Sequence, residues 1–401
     1  MAPSSASSSA RPRNGAASDD ARVYLDYAGF APVDARVLAV MRPFLEGGIG
    51  NPSSGHAVGT EARASLDGAR VKVARLVGGA AEGVVFTSGA TEANNLAVQG
   101  VAERAAGRHV VTSATEHVSV LTCCRDLTKR GFDVTYVPVD GDGRVNPRAV
   151  ADAMRPDTAL VSIMAGNGEI GAVQPIQDVG RLVSAHTAVF HVDGVNALGR
   201  VAFDVERCRV DLLTISSNDL YGPPGVGALW VRPGTAIAPV MLGGGQEHGY
   251  RSGTENIPGI VGFAAAADLA RTERLAESPR LAALRDRLLE GILERLPDAR
   301  ITGPRGAGRL PHHASLILPG VKADAVLTEL DLHGVAASSG SACNTLTGQP
   351  SHVLLAIGTT PADAESSVCF TLGRWTTELE IDRAVALLPP IVARLRALSG
   401  R

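Results

Sequence analysis

Short apolar runs recur along the first two thirds of the chain. They are Gly83–Thr87, His109–Thr112, Asp133–Val137, Ala159–Met164, Ala188–Val192, Asp211–Ile215 and Gly227–Val231. Each has the length of a buried strand. Between them lie segments with helical spacing, among them Ser119–Lys129, Arg148–Met154 and Val179–Ser184. The second follows Asn146-Pro147, a capping residue and then a proline suited to the first helical position. Strands alternating with helical crossovers predict a largely parallel sheet of seven strands covered on both faces. Ligands then belong beyond the carboxyl ends of the strands. After about residue 265 the pattern changes to a long Arg/Leu/Glu-rich helix, Ala264–Leu296, and then a second α+β region. The expected organisation is a disordered tail over 1–20, a large α/β domain over 21–265 and a smaller C-terminal α+β domain over 266–401.

Composition narrows the function classes. The 401 residues are 45% hydrophobic, enough for a large core, and the 38 basic and 41 acidic side chains leave a net charge of -3. That balance argues against a nucleic-acid or membrane-surface protein. No apolar run approaches the roughly 18 residues of a membrane span. Residues 1–20 are small and polar without an apolar signal core, which predicts a tail, although their Ser, Ala and Arg also suit a transit peptide. The expectation is a cytoplasmic protein. Five cysteines (Cys123, Cys124, Cys208, Cys343, Cys369) contain no CxxC pair, which disfavours a disulfide framework or structural zinc. Only Lys72, Lys129 and Lys322 are lysines. Amine chemistry therefore has three candidates.

Four motifs fall at strand ends. In VVFTSGATEANN, Ser88, Gly89, Ala90 and Thr91 precede a helix, where small residues let backbone N–H groups approach an anion; an ordinary strand–helix turn is the plainer reading. Asp193 in FHVDGVN could pair with a cationic heterocycle or cap the next helix. His117 in TSATEH could stack on a planar ligand or be a structural histidine. Asn167 in SIMAGNGEIG offers an amide, or simply turn chemistry. Together, a phosphate cradle, a carboxylate for a ring nitrogen, a stacking imidazole and an amide describe a pyridoxal-phosphate pocket. His312-His313 reads as a surface turn, Cys123-Cys124 as helical with at least one in the core, and Gly243-Gly244-Gly245 as a close backbone approach.

From about Val23 to Leu398 the chain resembles the cysteine desulfurases of the class V aminotransferase group, pyridoxal-phosphate enzymes of fold type I. LDYAGFAPVD, GNPSSGH, VFTSGATEANN, TEH, SIMAGNGEIG, HVDGVN, LYGPPGVGALWV, GGGQEHGYRSGTEN, SSGSACN and FTLGRWTTE carry the resemblance. It implies that Gly89, Ala90, Thr91 and Ser216 contact the cofactor phosphate, that His117 stacks on the ring, and that Asp193 holds its nitrogen. It also implies that Asn167 sits near the substrate and the ring hydroxyl. Thr254 would reach the phosphate of a partner subunit, implying a homodimer with shared sites. Cys343, after Ser338-Ser339-Gly340-Ser341-Ala342, stands where the family keeps the thiol that takes sulfur from cysteine as a persulfide for an acceptor protein or small molecule.

The chain also departs from the family. The pattern Ser-x-His-Lys, whose lysine forms the Schiff base, reads Ser216-Ser217-Asn218-Asp219. The arginine that clamps the substrate carboxylate is Cys369, a glutamine at the ring hydroxyl is Asn196, and A-T-T near the N-terminus reads Gly29-Phe30-Ala31. The Lys-to-Asp and Arg-to-Cys changes shift the pocket by about three charge units toward negative, counting one unit per group lost or gained. Three readings stand: a desulfurase-like protein of sulfur transfer with Cys343 as persulfide carrier; an enzyme of altered chemistry with non-covalent pyridoxal phosphate or another anionic ligand, where Cys369 is a second thiol of interest; and a non-catalytic structural or regulatory homologue.

Overall fold

The computed structural model describes residues 22–47, 50–340 and 350–398. Strand β1 (Val23–Tyr24) is followed by the strands of a seven-stranded sheet. These are β2 (Val84–Thr87), β3 (His109–Ser113), β4 (Asp133–Val137), β5 (Thr158–Ser162), β6 (Val189–Asp193), β7 (Leu212–Ser216) and β8 (Gly227–Val231), in spatial order β2-β8-β7-β6-β5-β3-β4. All seven expected runs are strands of this sheet. The β3–β4, β3–β5, β5–β6 and β6–β7 pairs are parallel, whereas β8 runs antiparallel to both β7 and β2. Only residues 217–226 join β7 to β8. That is too short for a crossover helix, so the chain turns back on itself.

Helices α1 (Ala35–Glu46), α2 (Ala57–Val77), α3 (Ala90–Arg104), α4 (Val118–Lys129), α5 (Pro147–Ala153), α6 (Ile176–Val183) and the 39-residue α7 (Ile257–Arg295) accompany the sheet. Alternation along the strands divides its two faces. Val111, Phe190, Leu213 and Trp230 pack in a core shared with residues of α2 and α7. Val110, Leu160, Leu212 and Leu229 face the other way, onto residues of α3 and α4. Helix α5 starts as its sequence predicts: the Asn146 side chain accepts from Arg148 N at 2.9 Å, and Pro147 follows at the first turn.

The remaining elements are β9 (Arg300–Ile301), β10 (His313–Ile317), α8 (Ala323–Leu332), β11 (Val335–Ala336), α9 (His352–Ala356), α10 (Pro361–Ala364), β12 (Ser367–Thr371) and α11 (Glu378–Leu398). An antiparallel sheet of order β12-β10-β9 and a parallel β1–β11 pair form this region. Its core takes Val23 and Leu25 from the N-terminal side. Helix α7 belongs to both cores: Ile257 to Ala270 contribute to the first, Leu281 to Ile292 to the second, and Pro279 lies inside the helix between them. No described helix is long and apolar enough to cross a membrane.

Candidate active site

A cavity of about 310 Å³ opens beyond the carboxyl ends of β3, β5, β6 and β7, under the second region. The loops after those strands contribute Glu116 and His117, Asn167 and Glu169, Asp193 and Asn196, and Asn218 and Asp219. Ala90 lines it from the start of α3, and Asp26, Ser338, Gly340, His352 and Cys369 close it from the other side.

Asp193 ends β6 and is 4% exposed. One carboxylate oxygen accepts from Asn94 Nδ2 at 2.8 Å and the other from Val195 N at 3.0 Å, so the carboxylate is held in place. Asn94 also donates to Ser119 Oγ at 2.8 Å, and that oxygen lies 2.8 Å from His117 Nδ1. His117 Nδ1 caps α4 by accepting from Ser119 N at 3.2 Å. Asn167, buried, spends its amide on the turn: Nδ2 donates to Thr115 O at 3.0 Å, and Oδ1 accepts from Glu169 N at 2.8 Å and Ile170 N at 3.0 Å.

Helix α3 starts without a side-chain cap on Gly89, whose φ of 152° and open surroundings leave the first N–H groups uncovered. Just upstream, Ser88 N donates to Glu92 Oε2 at 2.7 Å, and Glu92 pairs with Arg251 at 2.8 Å, tying the 251–256 segment to this helix start.

Asp219 is buried at the floor, in the turn after β7. Burial raises its carboxyl above the ordinary range, and the nearby charge of Asp193 adds to this; Arg200 and a hydrogen bond with Ser216 act against it. Burial also raises Glu116 well above its usual value and Asp26 more modestly. Glu169 is pushed up to about 7 by burial, against a hydrogen bond from Ser351 Oγ. Raised from an ordinary 4.5, Glu169 stays protonated in the folded chain over a range where the unfolded chain has ionised. Its contribution is therefore fully present below about pH 4.5, is lost progressively as pH rises to about 7, and stays lost above. The loss is about 2–4 kcal/mol. Glu169→Gln should flatten that slope in urea titrations across pH 4.5–7; an unchanged slope would refute the assignment.

The cavity thus gathers Ala90, His117, Asn167, Asp193, Asn196, Asn218, Asp219 and Cys369 of the residues singled out by sequence. Gly89 and Thr91 flank Ala90 without lining the cavity, Ser216 is buried at the end of β7, and Thr254 is exposed outside it. Cys343 lies outside the described residues. The His312-His313 pair corrects an expectation: both rings are buried, not on a surface turn, because His313 opens the central strand of the second sheet. His313 Nε2 lies 2.9 Å from Gly168 O and 3.2 Å from Cys369 Sγ. Cys123 and Cys124 are both buried. Glu116, Glu169 and Asp26 were missed as site residues, although each stands inside a motif read for a neighbour.

Residues 23–384 match the family model described as aminotransferase class V, and the chain belongs to that family. Within it, the chain is a member of the cysteine desulfurases. It is 44% identical over 378 residues to cysteine desulfurase IscS 1 of Archaeoglobus fulgidus, covering 94% of this chain and 98% of that one. A solved NifS-like protein superposes with a TM-score of 0.87 at 36% identity, covering 93% of this chain and all of that one. A structure described as SspA in complex with cysteine gives 0.78 at 34% identity, with 88% of this chain and 100% of that one covered.

The family uses pyridoxal phosphate. The ring half of the cavity suits that group: a braced buried carboxylate, an imidazole and an uncapped helix start. A covalent tether has no such provision. Among the described residues no lysine lines the cavity; Lys72, Lys129 and Lys322 are all exposed, on α2, α4 and the start of α8.

Proposed function

We propose that this protein serves sulfur transfer within the cysteine desulfurase family, with Cys343 as the persulfide carrier and without the family's lysine chemistry. The observation that carries this reading is the carboxylate at 219, buried on the cavity floor with no lysine lining the described wall. Pyridoxal phosphate, when bound, supplies an electron sink for a carbanion. This chain's part is to hold it without a covalent bond. Asp193 would bind the protonated ring nitrogen, His117 would cover the ring, and the open start of α3, with Thr91 and Ser216, would face the phosphate.

Gly340 lines the cavity, and Cys343 is three residues further on, at most about 11 Å along an extended chain. His352 and Val353, after residues 341–349, line it too. A thiolate at 343 would attack the outer sulfur of a donor persulfide, forming a new S–S bond as the donor leaves as thiolate. A homodimer agrees with the exposed Val240, Met241 and Leu242 beside the segment that carries Thr254.

The test is mass spectrometry of Cys343 after incubation with an active desulfurase and L-cysteine. A mass increase of one sulfur on Cys343, absent from Cys343→Ser, is expected; its absence from the parent chain overturns the carrier role. A second reading, altered chemistry with non-covalent cofactor, is favoured by the braced Asp193. Cofactor that co-elutes with the protein in gel filtration run in cofactor-containing buffer supports it, and no uptake removes it.

A further inference from the structure

Five carboxylates, Asp26, Glu116, Glu169, Asp193 and Asp219, line the same cavity, while no lysine or arginine among the described residues does. Residues 341–349 read SACNTLTGQ, without Asp, Glu, Lys or Arg. Two of the buried side-chain atoms left without a partner belong to this wall, Glu116 Oε2 and Asn218 Oδ1. Glu116 is fully buried, its other oxygen accepting from Met164 N at 2.8 Å. Such a group costs free energy unless something in the cavity completes its hydrogen bonding.

Two of the histidines, His313 and His352, do not offset the acid. His117 is drawn on as the α4 cap, and burial first, then Arg309, pulls His313 down to about 3, so it is neutral at physiological pH. His352 is likewise lowered by burial, with Nε2 placed 3.0 Å from Glu116 O. Cys369 is buried, and burial raises its thiol, which keeps it uncharged as well. Among the described residues, the uncapped start of α3, at Ala90, is the edge that favours an anion. A ligand carboxylate elsewhere on the wall would meet like charge or polar groups that must stay protonated. An ammonium group would instead satisfy acceptors of the wall and be favoured by each of its carboxylates that ionises, against the charges of Arg200 and Arg309 behind it.

We infer that the small-molecule partner of this cavity is an amine without a carboxylate, an aminothiol such as cysteamine rather than an α-amino acid. This rests on the cavity being the ligand site of the proposed function and narrows its substrate class. It does not depend on Cys343 carrying sulfur.

The test uses the full chain under reducing conditions, titrated separately with cysteamine, L-cysteine and 3-mercaptopropionate and followed by ligand-observed NMR. Cysteamine should bind at least ten-fold more tightly than L-cysteine, and 3-mercaptopropionate should not bind. Asp219→Asn should weaken cysteamine about ten-fold while leaving thermal unfolding cooperative. L-cysteine binding as tightly as cysteamine, no binding of cysteamine, or an unchanged affinity in Asp219→Asn each overturns the inference. Persulfide on Cys343 is read independently, so a failed amine preference beside a positive persulfide result rejects this inference alone.

Discussion

A chain carrying Asn218→His, Asp219→Lys and Cys369→Arg together should desulfurate L-cysteine roughly 10³-fold faster than the parent, within the range that a placed acid–base group and nucleophile supply. The lysine would rise from the floor of the cavity, from the turn that follows β7. Arg200, whose charge now bears on Asp219, would hold a lysine there below its ordinary pKa and favour the neutral, nucleophilic amine. The arginine at 369 would give the cavity a cation for the substrate carboxylate. Sulfide and alanine release measure the gain, and cofactor absorbance that survives desalting reports the restored tether. Asp219→Lys alone should retain cofactor with little turnover. A triple variant that folds and keeps cofactor yet releases no alanine would place the deficit elsewhere.

The largest expected loss of stability comes from Glu247→Ala, about 3–5 kcal/mol, the usual cost of leaving one buried ion without its partner. Glu247 and Arg70 are 5% and 6% exposed and meet through two bonds of 2.8 Å each. Glu247 also accepts from Phe86 N at 2.7 Å, while Arg70 bonds Val84 O and lies over the Phe86 ring. Alanine would strand the guanidinium and the β2 amide together. Denaturant unfolding checks the value, and a change below about 1 kcal/mol, as surface pairs give, would show that the pair is not buried in solution. Arg70→Met with Glu247→Leu should recover much of the loss, since replacing both charges removes both desolvation penalties.

The strands were legible because each is a short apolar run between turn residues, and the parallel arrangement followed from the helices between them. The place of β8 was not, since it depends on the shortness of residues 217–226 and not on any feature of Gly227–Val231 itself. Asp193, His117 and Asn167 could be picked out because each stands at the end of a strand or in the loop just past one. Glu116 and Glu169 stand in the same motifs, but their burial depends on His352 and Ser351 arriving from nearly two hundred residues away or more, with gaps of 236 and 182 positions. Local pattern carries no such information. The burial of His312 and His313 likewise depends on β12 pairing across from β10.

Helix α7 gives the two cores a common axle, and Pro279 marks its joint. Proline has no N–H to donate, so one backbone hydrogen bond of the helix is missing there. On either side of it, Ser278 Oγ donates to Arg200 O at 2.6 Å, and Arg280 donates to the carbonyls of Thr376 and Gly373 at 2.8 and 3.2 Å. One latch grips the loop that carries Arg200, the charge bearing on Asp219; the other grips the chain just past β12, which carries Cys369. Both grips leave from a single helical turn remote from the lining of the cavity. A change of angle at that turn would move the loop of Arg200 and the chain past β12 together.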